Sequence, residues 1–132
     1  MDLFVNLPVA DLRRSRAFFE ALGFAFDDQF CDDTAVAMVI NKSANAMLLT
    51  REKFAGFTPR PVARDKHGTE VLIALRLPDR EAVDQMTDTA IAGGGAYVRE
   101  PEDHGFMYGR AFADPDGHIW EPFCMQMEAA DG

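Results

Sequence analysis

The sequence predicts an α+β chain made of two units with one plan, each a strand, a helix and three strands. Two observations carry that prediction. A β-rich run leading into a helix that starts at an aspartate occurs twice, at residues 3–7 before Asp11 and at residues 70–77 before Asp79. Each helix is stopped by glycine, Gly23 in the first unit and Gly93-Gly94-Gly95 in the second, and β-prone runs follow each stop.

Residues 1–50 read as the first βαβββ module. Leu3-Phe4-Val5-Asn6-Leu7 is an apolar run ended by Pro8, and Asp11 is placed to cap a helix whose apolar positions are Leu12, Phe18, Phe19 and Leu22. Phe24, Phe26 and Phe30 mark the next strand. Residues 36–40 and 46–50 give two more, separated by the polar turn Asn41-Lys42-Ser43. Residues 51–69 form a connector, because Pro59 and Pro61 oppose a long helix and Phe54 and Phe57 interrupt charged residues. The same connector can serve as a flap beside a pocket.

Residues 70–125 read as the second module. A helix begins at Pro78-Asp79 and runs through Val83, Met86 and Ile91, and residues 96–99 resume as strand. Residues 107–112 and 118–124 are strands joined by the turn Asp114-Pro115-Asp116-Gly117. Laying Leu7, Val9 and Asp11 over Leu75, Leu77 and Asp79 aligns both strand-to-helix junctions without a gap, which points to duplication within one domain, residues 1–132.

Composition narrows the partners. The chain has 132 residues, 48% of them hydrophobic, which suits one compact domain, and its formal charge of -9 disfavours a phosphate-backbone binder. No nucleic-acid partner is expected. Arg13, Arg14 and Arg16 read as a solvated helix face near Glu20. The triple glycine follows a helix instead of opening one, so it is a turn and not a phosphate loop. Cys31 and Cys124 are far apart and fit no zinc spacing, which predicts reduced thiols. No apolar stretch is long enough to span a membrane, and the opening residues carry no leader pattern. A cytoplasmic protein without a membrane partner is expected.

The chemistry concentrates in residues 112–123, where a tight turn feeds a strand carrying Glu121 among large apolar side chains. A buried strand carboxylate is costly unless a metal, a charge partner or a ligand satisfies it. Alternation puts Ile119, Glu121 and Phe123 on one face, with His118, Trp120 and Pro122 on the other. On the preceding strand Tyr108, Arg110 and Phe112 share a face. Arg110 is a candidate to pair with Glu121 or to fork onto a ligand carboxylate, or else a partly exposed strand arginine. Tyr108 reads as a hydrogen-bond donor or as aromatic packing. Asn6 shares a face with Phe4. His118 reads as a structural hydrogen bonder. His104 and His67, near Asp103 and Asp65, read as solvated loop histidines without ligand spacing.

The chain resembles the vicinal oxygen chelate superfamily of glyoxalases, bleomycin-resistance proteins and extradiol dioxygenases. Two segments carry the likeness: Asn6-Leu7-Pro8-Val9-Ala10-Asp11-Leu12-Arg13-Arg14-Ser15 before Phe18-Phe19-Glu20-Ala21-Leu22-Gly23-Phe24, and Asp114-Pro115-Asp116-Gly117-His118 before Glu121. With Phe106-Met107-Tyr108-Gly109-Arg110, they are most similar to a bacterial group labelled predicted lactoylglutathione lyase. The resemblance implies curved sheets around a cavity and a homodimer. It also implies metal-ligand positions that fall here on Phe4, Leu72, Glu121, and Leu48 or a neighbour such as Met47. Phe and Leu cannot ligate a divalent cation, so no metal and no cofactor are expected.

The expected function is therefore a small-molecule-binding protein with a degraded metal centre. Its site would comprise Phe4, Asn6, Leu48, Leu72, Tyr108, Arg110, Phe112, Glu121 and Phe123, with Glu121 the candidate general base. Two alternatives stay open. One is a metal-dependent lyase or isomerase of the lactoylglutathione type. The other is a ligand-free structural or regulatory dimer in which Glu121 pairs internally.

Overall fold

The computed structural model describes residues 1–63 and 68–126. It divides into two compact units, residues 1–65 and 66–132. His67, expected as a solvated loop histidine, and its neighbour Asp65 lie outside the described residues.

Unit 1 is a four-stranded sheet in the order β1-β4-β3-β2, with strands Leu3–Val9, Ala25–Phe26, Ala35–Val39 and Ala44–Thr50 numbered in chain order. β1 pairs parallel with β4, and the other pairs are antiparallel. Helix α1 (Leu12–Ala21) begins where the sequence places it, with the Asp11 carboxylate accepting the Arg14 N–H at 3.1 Å. It ends at Gly23, whose φ of 102° suits a residue without a Cβ. Ser15, Phe18 and Phe19 form its buried side, against the sheet side that carries Leu7, Val9, Val36, Met38, Ala46 and Leu48. The Phe18 and Phe19 rings meet edge-on at 5.0 Å, and Phe19 meets Phe24 at 5.9 Å.

The sequence places two elements of this unit differently. Phe30 closes a 3-10 turn, Asp28–Phe30, instead of extending β2, because the Asp27 carboxylate accepts the Gln29 N–H and starts a turn there. The connector contains a short helix α2, Arg51–Ala55, capped by the Thr50 hydroxyl and closed before the prolines.

Unit 2 is a six-stranded sheet. Its middle strand is β10 (Ile119–Met125), with β5 (Leu72–Arg76) parallel along one edge. Along the other edge lie β8 (Met107–Gly109) and β9 (Phe112–Ala113), both antiparallel. β6 (Ala96–Tyr97) extends β9, and β7 (Glu102–Asp103) extends β8. Helix α3 (Arg80–Ala92) starts at Asp79, whose carboxylate accepts the Ala82 N–H at 2.9 Å. Its buried residues Val83, Thr87 and Ala90 pack over the side of the sheet bearing Phe112, Trp120, Pro122 and Cys124.

The expected strand over residues 107–112 is split into β8 and β9 at Pro122. The Arg110 N–H donates to the Pro122 carbonyl at 3.0 Å, but proline has no N–H to return the bond, so the ladder breaks between the two strands. The Asp114 turn feeds β10 as expected and is braced by its own first residue. Asp114 is 4% exposed. One carboxylate oxygen accepts the N–H groups of Asp116 and His118 at 2.9 and 3.0 Å, and the other accepts the Trp120 indole N–H at 3.1 Å. Burial pushes this carboxyl above its ordinary pKa, against the lowering pull of His118 and of the hydrogen bonds. Gly117, at φ 91°, supplies the left-handed residue that the turn needs.

Candidate functional site

Period-two alternation and the strand register together define the side of the unit 2 sheet turned away from α3. Phe123 lies opposite Arg76 on one edge of β10 and opposite Gly109 on the other, and Gly109 lies opposite Glu102. Arg76, Phe123, Gly109 and Glu102 thus form one row. Glu121 and Ala74 form the next, and Leu72, Ile119, Ala113 and Ala96 a third. Residues facing each other across a ladder point to the same side. Small side chains therefore flank Glu121, and Leu72, which is 53% exposed, presents a bare apolar surface.

Glu121 has a charge partner that sequence reasoning missed. Arg99 donates from Nη2 to its carboxylate at 2.8 Å, with side-chain exposures of 34% for the arginine and 23% for the glutamate. The other guanidinium nitrogen, Nη1, is buried 3.2 Å from Glu102, an ion-pair contact without hydrogen-bond alignment. Glu102 is also 3.5 Å from His104 Nε2. Arg99 stands in the segment between β6 and β7, 22 residues before its partner. A lone arginine two residues past a short strand gives little signal of that reach. A second missed residue, Arg76, was legible by alternation with Leu72. Its exposed side chain makes no ion pair among the described residues.

The geometry corrects the expected company of Glu121. Arg110 donates from Nη1 to Asp84 at 3.1 Å and to Asp88 at 2.8 Å, both on α3. The Tyr108 hydroxyl donates to Asp84 at 2.6 Å, and burial, followed by the Asp84 carboxylate, raises the phenol pKa. Phe112 is fully buried beside Trp120. All three belong to the helix-covered side of the sheet because the register places Tyr108 opposite Cys124 and Phe112 opposite Trp120. A cleft of about 210 Å³ also opens on that side, bounded by Arg80, Phe106, Tyr108 and Cys124, and it does not include Glu121.

Unit 1 brings Phe4 and Asn6 to one exposed side of its sheet, where the register adds Asn45 and Met47. Leu48 is corrected: it lies opposite Leu7 in the buried core, 0% exposed, so Met47 is its counterpart on the open side. The expected positions Leu72, Glu121 and Phe123 share one side of unit 2.

The positions that the resemblance implies for a metal do not supply divalent-cation donors in either unit. In unit 1 Phe4 carries no ligating atom and Met47 only a soft thioether, and in unit 2 Leu72 carries none and Glu121 is engaged by a guanidinium. Among the described residues, no group of three or more His, Cys, Asp or Glu is arranged to hold a metal ion. Both cysteines are free thiols, Cys31 half-buried and Cys124 buried. No helix among the described residues is long and apolar enough to cross a membrane.

Comparisons with known proteins bear on this arrangement. Residues 3–121 match the family model described as the Glyoxalase/Bleomycin resistance protein/Dioxygenase superfamily. A hypothetical protein of S. aureus is 30% identical over 94% of this chain and 91% of its own, with a TM-score of 0.78. A glyoxalase-related enzyme from Fulvimarina pelagi shares 21% identity over 94% of this chain and 87% of its own, with a TM-score of 0.80. A family enzyme from Burkholderia phytofirmans shares 19% identity over 92% and 96%, with a TM-score of 0.76. The last two likenesses speak to fold alone. No curated protein sequence matches the chain.

Proposed function

Because the chain belongs to the Glyoxalase/Bleomycin resistance protein/Dioxygenase superfamily, we propose that it is a small-molecule-binding member without the usual metal centre. Its ligand would lie against the side of the unit 2 sheet that carries Leu72, Ile119, Glu121 and Phe123. The observation that carries the reading is the Arg99–Glu121 pair at 2.8 Å, in which a guanidinium holds the carboxylate that a metal-using relative would offer to a cation. The apolar side chains and small residues around the pair leave room for a ligand body, with the ion pair as its polar edge. On the first unit, Phe4 and Asn6 are candidate contacts of the same kind. A homodimer fits this family reading and is part of the proposal.

Glu121 then orients Arg99 and is not itself the reacting base. A lactoylglutathione-type lyase is disfavoured, because that chemistry asks a metal to polarise two substrate oxygens and stabilise the resulting anion. One other reading has an observation in its favour: the internal pairing of Glu121 also suits a ligand-free structural dimer. The exposed apolar surface at Leu72 suits either a ligand or a partner copy.

The test is elemental analysis of untagged protein, followed by calorimetric titration with Ni²⁺, Zn²⁺, Mn²⁺ and Fe²⁺. The expected result is no stoichiometric metal and no specific uptake. Near-stoichiometric metal that disappears in Glu121→Gln would overturn the reading. A small-molecule screen by amide NMR separates ligand binding, which shifts Leu72, Ile119 and Phe123, from the ligand-free dimer, which shifts none of them.

A further inference from the structure

We infer that the Glu121 side of the sheet selects an amphiphilic carboxylate, with Arg76 as the anchor of its anionic end. The inference rests on the ligand surface proposed above and names the chemistry of what it takes. Two arginines border that surface, and they are not equivalent. Arg99 is committed: its guanidinium lies between the Glu121 and Glu102 carboxylates at 2.8 and 3.2 Å. Two negative groups more than cancel it, so it does not offer an unbalanced positive charge to a ligand. Arg76 is uncommitted, exposed and without an ion pair among the described residues.

The register fixes where Arg76 stands. It lies directly opposite Phe123, and Ala74, two residues before it on the same side, lies opposite Glu121. Neighbours along one side of a strand are about 7 Å apart, and neighbouring strands about 5 Å. An aromatic or branched body resting on Phe123 and Ile119 therefore holds a terminal carboxylate within reach of the Arg76 fork. A guanidinium presents paired N–H donors that match the two oxygens of a carboxylate, which a neutral amide cannot reproduce. Charge also argues for a local anchor. The chain carries -9 overall, so its general field repels anions, and retention depends on a cation in contact with the ligand. A cationic ligand finds no free carboxylate on Glu121, because Arg99 already holds it.

Three probes of similar shape and different charge test this: phenylacetate, 2-phenylacetamide and phenethylamine, each titrated into the full chain and followed at the amides of Leu72, Ile119 and Phe123. Phenylacetate should bind about tenfold more tightly than the amide, the difference expected of one charge-assisted contact. Arg76→Gln should bring phenylacetate to the level of the amide while leaving the amide unchanged, and Arg76→Lys should restore part of the difference. Arg76 is exposed on an edge-lying strand, so both variants should fold, which the melting temperature checks. Unchanged phenylacetate affinity in Arg76→Gln, or equal or tighter binding of the amide or the amine, overturns the inference and leaves the ligand surface standing. No shift at these amides with any of the three overturns both.

Discussion

Replacing Arg99 with Gln removes the only cation held against Glu121 among the described residues, and the cost can be worked from the pair itself. Charge centres about 4 Å apart attract by roughly 4 kcal/mol in a medium of effective dielectric near 20. Both side chains are partly wet, 34% and 23% exposed, so desolvation and screening offset most of that attraction. A coupling of about 1 kcal/mol remains. Arg99→Gln leaves two carboxylates, Glu121 and Glu102, without their shared counter-charge and should cost about 2 kcal/mol. Glu121→Gln leaves Arg99 paired with Glu102 and should cost about 1 kcal/mol. The double variant should then cost about 2 kcal/mol, not the additive 3 or so. Urea unfolding followed by fluorescence suits the measurement, because the single tryptophan, Trp120, lies in the same unit as the pair. Additivity within about 0.3 kcal/mol would mean that the two groups do not sense each other, and the assignment of Arg99 as the charge partner would fail.

Other outcomes follow from named contacts. Asp114→Ala leaves three N–H groups without their acceptor, two of them backbone, and should cost about 3 kcal/mol with a red shift of Trp120 emission; an unshifted spectrum would refute the indole contact. Phe19→Ala removes a fully buried ring from between Phe18 and Phe24 and should cost about 3–5 kcal/mol in thermal or urea unfolding; a loss below about 1 kcal/mol would contradict its core placement. The Asp103 carboxyl, forked by Arg80 at 2.6 and 2.8 Å, is held at about 2 instead of 3.8. A lowered folded-state pKa contributes stability that is present above 3.8 and lost as the pH falls towards 2. Carbon-13 titration of Asp103 should show that midpoint, Asp103→Asn should flatten acid unfolding in the same window, and a midpoint near 3.8 would remove the Arg80 fork from the account.

What could be read in the sequence was local. Asp11 and Asp79 sit three residues before the N–H groups they cap, so the cap signal needs no knowledge of the rest of the fold. The Asp114 turn is local in the same way. Which side of a sheet a residue occupies is a different matter, because it depends on the register with a strand far along the chain. Counting by two from Tyr108 groups it with Arg110, just past β8, which is right, but it does not say that both lie on the α3 side. Leu48 shows the same limit: its apolar run has no polar mark to say which residue faces the core, and pairing with Leu7 decides it. Arg99 was hidden for another reason, since its reach to Glu121 spans 22 residues, with β7, β8 and β9 between them.

Pro122 has a mechanical consequence as well as a topological one. The ladder gap that it leaves runs across the sheet beside Glu121, at the level where β8 gives way to β9. Each ladder bond resists the splaying of neighbouring strands, so the pair yields more easily where one is missing, and the fixed φ of proline limits how the strand adjusts there. The sheet is therefore less tightly held beside Glu121, where the strand that carries the ion pair meets its broken edge.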